Sequence, residues 1–193
     1  MSYLAKLIEK SALVLDDDFI PKALEYKELL IKWNKTHNLT GVKDYNKLDE
    51  FIVDAIMPID FLPPIKSILD IGSGAGFPAI PLAIALKDVE FTLVEPIKKR
   101  TSFLQFVKAS LNLDNVTVVS ARAEDVEPRA SDLITSRAVS DTQMLLKLSK
   151  PFCSSDTVLL FYKGENVYDE VDENLQYEII KRDNRHYLLI KAF

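Results

Sequence analysis

Three of the chain's five glycines, Gly72, Gly74 and Gly76, lie within the ten-residue segment LDIGSGAGFP. Glycine permits a positive φ and lets the backbone come close to a ligand. A strand-like apolar run precedes the segment and a helix-like stretch follows it, so we expect a strand-to-helix turn that offers bare N–H groups to a bound molecule. The alternative is a tight turn without a ligand.

The residue after the third glycine narrows the class of ligand. In the dinucleotide pattern G-x-G-x-x-G the last glycine allows close packing of the helix, and here that position is Phe77, followed by Pro78. A phosphate-binding P-loop would need Gly-Lys-Ser/Thr at the start of the helix, and the sequence has none there. The loop therefore favours a nucleotide-like cofactor other than a dinucleotide.

Further candidate residues follow the ends of the other predicted strands, where open α/β sheets bind their ligands. A carboxylate at Glu95 could accept hydrogen bonds from the two hydroxyls of a ribose, although it could also be a solvated acid. Ala123 and Glu124 are expected beside an adenine. Arg137 and Lys163 are expected beside the second substrate, and two cations suggest that it is anionic. Each of them could instead be an ordinary surface cation.

Apolar spacing predicts the elements that position these residues. Helical spacing covers residues 3–15, 19–33 and 47–57. Strand-length apolar runs cover 67–71, 90–95, 115–119, 132–136 and 157–162, with helices between them. After a short helix over 165–172, two runs at 176–181 and 186–191 surround a short connection that contains Asp-Asn, which is typical of a hairpin.

These elements predict an α/β fold, a Rossmann-like doubly wound sheet of seven strands with a terminal antiparallel hairpin. Residues 1–60 form an N-terminal helical cap and residues 61–193 the sheet domain. A dinucleotide-binding fold would usually remain parallel, so the hairpin favours S-adenosylmethionine (SAM) as cofactor and a class I methyltransferase domain.

Composition limits the partners. The single cysteine, Cys153, excludes an internal disulfide, and two scattered histidines exclude a zinc site, so we expect no metal. We find no signal peptide and no apolar run of membrane-spanning length, so we expect a cytoplasmic protein, without a membrane partner and monomeric. The net charge of −5 argues against general nucleic-acid binding, so an RNA partner needs a local basic patch. The run Lys98-Lys99-Arg100 leaves that contact open.

Five motifs, in order, resemble one family: NLTGV, IGSGAGFPAIPLAI, EPIKKRTSFLQF, ARAED and ITSRAVS. The family is RsmG, also called GidB, of bacterial small-subunit rRNA guanine-N7 methyltransferases. The resemblance runs from about Lys32 to Lys163. It implies SAM as methyl donor, 16S rRNA or the small ribosomal subunit as partner, and methylation at guanine N7.

The resemblance also implies roles for single residues. It marks Gly72, Phe77, Ala123, Glu124 and Arg137 as cofactor-site positions, and Lys163-Gly164 matches the family's Lys-Gly after the fifth strand. We interpret Arg137 as facing both the cofactor and the incoming guanine, with Lys163 as a second candidate catalytic residue.

Two positions depart from the family's pattern. Phe51 stands where members commonly carry histidine in a His-x-x-Asp-Ser stretch, which leaves Asp54 as the retained polar residue. Glu95 replaces a frequent aspartate and keeps the carboxylate.

Guanine N7 has an in-plane lone pair and needs no general base, which suits a chain without a catalytic triad. Aromatic side chains often hold an unstacked base, and Trp33, Phe77 and Tyr162 are candidates, although core packing is the alternative for each. We expect Arg137→Ala to abolish methyl transfer with little loss of stability.

Three alternatives stay open at this point. The chain could methylate another RNA or a small molecule, which the acidic composition favours. It could bind SAM or RNA without catalysis. A nicotinamide oxidoreductase is the weakest alternative because of Phe77.

Overall fold

The computed structural model describes residues 1–137, 141–171, 175–182 and 185–191. Seven strands form one sheet: β1 Ser67–Ile71, β2 Glu90–Val94, β3 Val116–Val119, β4 Leu133–Arg137, β5 Val158–Lys163, β6 Tyr177–Arg182 and β7 Arg185–Lys191. Their order is β3-β2-β1-β4-β5-β7-β6. The first five strands are parallel, whereas β7 is antiparallel to both β5 and β6. The predicted doubly wound sheet with a terminal antiparallel hairpin is thus confirmed.

Strands β2 and β3 are added on one side of β1, and β4 and β5 on the other, so the topological switch point of the fold lies between β1 and β4. Ligands of such sheets bind beyond the carboxyl ends of the strands at this point. The register pairs Ile71 with Val94 and Arg137 with Tyr162. It therefore brings the glycine loop after β1, Glu95 after β2 and Arg137 at the end of β4 to one edge.

Seven α-helices accompany the strands within the described residues: α1 Tyr3–Ser11, α2 Phe19–His37, α3 Asn46–Ile56, α4 Ala79–Ala85, α5 Lys98–Leu111, α6 Thr142–Ser149 and α7 Val167–Glu170. The predicted helix over 3–15 is too long, because Ala12 adopts φ 58° and ends α1. The predicted helix over 19–33 is too short. Lys99 Nζ donates to the carbonyl of His37 at 2.7 Å, a favourable interaction for the negative end of α2.

The N-terminal helices share a core with one face of the sheet. Phe19, Tyr26 and Leu30 of α2 are fully buried in the same cluster as Ile80 of α4 and Phe103 of α5. The division at residue 60 stays a prediction. No helix in the described part of the chain is long and apolar enough to span a membrane.

The predicted strands lie within one residue of the observed bounds at each end. The predicted short helix over 165–172 reduces to the single turn of α7, and its last position lies outside the described residues. The predicted hairpin connection at 183–184 and the motif positions 138–140 also lie outside them.

Candidate active site

All three glycines of the loop have positive φ: 73° at Gly72, 57° at Gly74 and 102° at Gly76. Their N–H groups are not bare, however, so that expectation is wrong. Gly72 and Ser73 donate to the carbonyl of Val94, Gly74 donates to the Glu95 carboxylate at 2.8 Å, and Gly76 donates to Ser73. The N–H groups of Gly72, Ser73, Gly74 and Gly76 are thus bonded within the protein.

The close packing behind Gly76 explains why that position is glycine. A Cβ there would lie 2.7 Å from Ile80 Cγ1, 3.0 Å from Tyr26 Oη and 3.2 Å from Leu104 Cδ2. Tyr26 also donates a hydrogen bond to the Ala75 carbonyl at 2.7 Å. Helix α2 of the predicted cap therefore supports the loop directly.

Glu95 is 2% exposed and follows β2. Its Oε2 accepts from Gly74 N at 2.8 Å and its Oε1 from Ile97 N at 2.9 Å. An ionised carboxylate has about four lone-pair sites, so two remain for a pair of ribose hydroxyls. The carboxylate is held by backbone at both oxygens and needs no rearrangement to accept them, which supports the predicted role.

A cavity of about 530 Å³, the cofactor cavity, opens beside the loop. Gly72, Gly74, Phe77, Glu95 and Arg137 are among the residues that line it. The segment 38–41, from the motif NLTGV, also lines this cavity, and the sequence alone gave it no role. Five of the eight predicted cofactor positions thus line one cavity, which has a size typical for a small ligand.

Three predicted cofactor positions behave differently from the rest. Gly76 packs against Ile80, Tyr26 and Leu104 behind the loop, and it does not line the cofactor cavity, whereas its neighbours Ala75 and Phe77 do. Ala123 and Glu124 form a short 3₁₀ helix after β3, with Ala123 buried and Glu124 exposed. Neither of these two lines the cofactor cavity. Their contact with the adenine stays a prediction.

Arg137 lies where two cavities meet. Its Nη2 is 3.1 Å from Asp54 Oδ2, and its guanidinium stands 4.3 Å from the centre of the Phe51 ring and 5.6 Å from that of Phe77. Burial lowers the pKa of Arg137 and Asp54 opposes that change, while an arginine remains charged at neutral pH. The ion pair and the two rings hold the guanidinium plane in one orientation.

Asp54 is the centre of this cluster. Tyr187 donates to its Oδ1 at 2.8 Å, and Arg185 Nε lies 3.4 Å from its Oδ2. Arg185 also approaches the Phe51 ring, at 5.3 Å. Phe51, which stands in place of the family's usual histidine, is therefore an aromatic platform for two guanidinium groups.

This environment changes the expectation for Arg137→Ala. The side chains of Arg137 and Asp54 are 12% and 6% exposed. Removing one partner of a buried ion pair costs about 3–5 kcal/mol, so little loss of stability is no longer expected. Tyr187 and Arg185 stay near Asp54 and offset part of that cost.

The second cavity, of about 270 Å³, is here called the acceptor cavity. Arg137 and Lys163 line it, and Lys163 Nζ donates to Glu170 Oε2 at 2.6 Å. Within the described residues Arg137 Nη1 and His186 Nδ1 are buried without a hydrogen-bond partner.

The other candidates take different places. Trp33 packs against Phe103 and Phe106 of α5 and lines neither cavity. Tyr162 lines the acceptor cavity, but its hydroxyl donates to the Ala55 carbonyl at 2.6 Å. Phe77 lies in the cofactor cavity. In the basic run, Lys99 binds the end of α2, as described above.

Asp70, on β1, was not predicted from the sequence as a residue near the site. It is fully buried, and its Oδ1 accepts from Thr135 Oγ1 at 2.7 Å. Burial raises its pKa to about 7. Within the part of the chain that the structure describes, no group of three or more potential ligands could hold a metal ion.

Known proteins were compared with this chain. The family model described as GidB, rRNA small subunit methyltransferase G, matches residues 19–190. The chain belongs to this family. It is 44% identical to the ribosomal RNA small subunit methyltransferase G of Wolinella succinogenes, over 97% of each chain. It is 45% identical to that of Helicobacter pylori, over 78% of this chain and 85% of the relative.

Solved structures share the fold of this rRNA small subunit methyltransferase G family member. TYW2 of M. jannaschii, solved in complex with AdoMet, superposes with a TM-score of 0.56 at 18% identity, covering 75% of this chain and 74% of the other. A ribosomal protein L11 methylase from Lactobacillus delbrueckii gives 0.57 at 16% identity, covering 75% and 79%. The class I methyltransferase fold predicted from sequence is confirmed.

Proposed function

We propose that this protein transfers a methyl group from SAM to N7 of a guanine in 16S rRNA. The observation that carries the proposal is that Arg137 lines two cavities, one beside the glycine loop and one whose wall also contains Lys163 and Glu170. The names of the relatives support RNA of the small ribosomal subunit as the substrate. We place the protein in the bacterial cytoplasm, where that RNA is found.

The residues of the cofactor cavity fit SAM. Glu95 would accept hydrogen bonds from the ribose hydroxyls, and the glycine loop would lie against the ligand. When bound, SAM supplies a methyl group on a sulfonium. The N7 lone pair would form the new N–CH₃ bond as the S–CH₃ bond breaks with its electron pair left on sulfur, so the positive charge would pass to the guanine.

The chain's own contribution is orientation. N7 carries no proton, so no base has to remove one. The Asp54 ion pair and the Phe51 ring fix the Arg137 guanidinium at the junction of the two cavities, where it can donate to O6, beside N7. Holding the reacting atoms in line can supply on the order of 7–11 kcal/mol at best.

Labelled methyl transfer from SAM tests the proposal. The substrates are 30S subunits from a strain that lacks the protein, naked 16S rRNA and a panel of small metabolites. Arg137→Lys keeps the charge but loses the planar fork, and we expect kcat/KM to fall about 10- to 100-fold. The matched control is Arg129→Lys, whose side chain is 88% exposed, and we expect it to be unchanged.

The outcomes separate the alternatives. Transfer to a metabolite but to neither RNA would make the protein a small-molecule methyltransferase. Tight SAM binding without transfer to any acceptor would make it a binding module. Near-normal activity of Arg137→Lys would remove Arg137 from the site.

A further inference from the structure

Glu170 contributes a carboxylate to the wall of the acceptor cavity. Lys163 Nζ at 2.6 Å and Thr142 Oγ1 at 3.0 Å both donate to its Oε2. No residue in the described ranges donates to Oε1, and the side chain is 34% exposed. The hydrogen bond from Lys163 lowers the pKa of Glu170, so the group is an anion at neutral pH. Among the residues that the structure describes, one oxygen of this carboxylate therefore has no donor.

An ammonium group beside a carboxylate places a hydrogen-bond donor next to an acceptor, which is complementary to one edge of guanine. The Watson–Crick edge of guanine carries the O6 acceptor next to the N1–H and N2–H donors. Lys163 can donate to O6 while Glu170 accepts from N1–H and N2–H. Adenine carries an amino donor and an unprotonated N1 at the same positions. Its amino group would face the Lys163 ammonium, a second donor, and its N1 would face the Glu170 carboxylate, a second acceptor.

N7, O6 and N1 follow one another around the edge of guanine. Arg137, Lys163 and Glu170 all line the acceptor cavity, so a guanine bound there with N7 near Arg137 can also present its Watson–Crick edge to Lys163 and Glu170.

We infer that the Lys163–Glu170 pair recognises the Watson–Crick edge of the target guanine and sets the specificity for guanine over adenine. The inference rests on the proposed function. Glu170 also assists the reaction, since methylation at N7 makes the ring cationic and its N1–H more acidic. A carboxylate bonded to N1–H stabilises the charge that develops in the transition state.

A double comparison of enzyme and substrate tests this inference. The variant is Glu170→Gln, with the exposed Glu165→Gln as matched control. Once the methylated guanine has been mapped, 16S rRNA is ligated with inosine at that position and assembled into 30S subunits. Inosine keeps N7, O6 and N1–H but lacks the amino group on C2. Methyl transfer and the Kd for SAM are measured for every combination.

We expect Glu170→Gln to lower kcat/KM on guanosine about 10- to 100-fold while the Kd for SAM stays within about twofold. Wild type should act on inosine at least about tenfold more slowly than on guanosine, and Glu170→Gln should lose most of that discrimination. Glu165→Gln should behave as wild type.

Three results would overturn the inference. The same ratio of kcat/KM on guanosine to kcat/KM on inosine in wild type and in Glu170→Gln would show that Glu170 does not contact the amino group. Full activity of Glu170→Gln would remove it from the site. No transfer by wild type to RNA would refute the proposed function itself, and the inference with it.

Discussion

Gly76→Ala tests how far the glycine loop depends on the helix behind it. Two costs follow from the structure. A non-glycine residue at φ 102° stores about 1–3 kcal/mol of backbone strain. The new Cβ would lie 2.7 Å from Ile80 Cγ1 and 3.2 Å from Leu104 Cδ2, against about 3.5–4.0 Å for ordinary carbon contacts. Such overpacking costs about 1–3 kcal/mol more.

The expected loss in the free energy of unfolding is therefore about 2–6 kcal/mol, a large part of the roughly 5–15 kcal/mol of a typical domain. Urea denaturation at 25 °C, with and without SAM, measures it, and calorimetry should show weaker SAM binding. Gly41→Ala and Gly164→Ala are matched controls for stability without SAM, because a Cβ at either position meets nothing within 4 Å. They should stay within about 0.5 kcal/mol of wild type. A Gly76→Ala protein as stable as these controls would refute the packing argument.

Three further predictions concern the surrounding site. Asp70 has a pKa of about 7 in the fold against an ordinary 3.8, so the folded state holds its proton longer and stability falls as pH rises from about 4 to 7. Asp70→Asn, which keeps an acceptor for Thr135, should remove this fall, which is on the order of 4 kcal/mol. Urea unfolding of variant and wild type at pH 4 and pH 8 measures it, and the same change in unfolding free energy between the two pH values in both proteins would contradict the prediction. Glu95→Gln should weaken SAM binding about 10- to 100-fold by calorimetry, and an unchanged Kd would exclude Glu95 from the ribose site. Phe51→Leu should cost about 1–2 kcal/mol of unfolding free energy through lost attraction to Arg137, and a loss within error would show that the ring does not hold the guanidinium.

The sheet could be predicted because its signals are local. The strand β1 is five apolar-rich residues between a proline pair and the glycine loop, and both of its ends were predicted to the residue. Helix ends depend on contacts that local spacing does not carry. The end of α2 is fixed partly by Lys99, which lies 62 positions from His37.

The loop shows how an accurate motif can carry a wrong detail. Three glycines indicated a ligand, but the N–H groups of Gly72 and Gly74 donate to Val94 of β2 and to Glu95, so bare donors could not be excluded before the strand pairing was known. The Asp54 cluster was hidden for a related reason. Tyr187 lies 133 positions from Asp54, and nothing in the sequence near either residue points to the other.

The central claim is that the junction at Arg137 directs the methyl group of SAM to N7 of one guanine. Its most direct test is nucleoside mass spectrometry, with mapping, of 16S rRNA from a strain that lacks the protein, before and after incubation of its 30S subunits with purified protein and SAM. We predict that 7-methylguanosine rises at a single guanine. A methyl group on another atom or nucleoside, or none at all, would contradict the account.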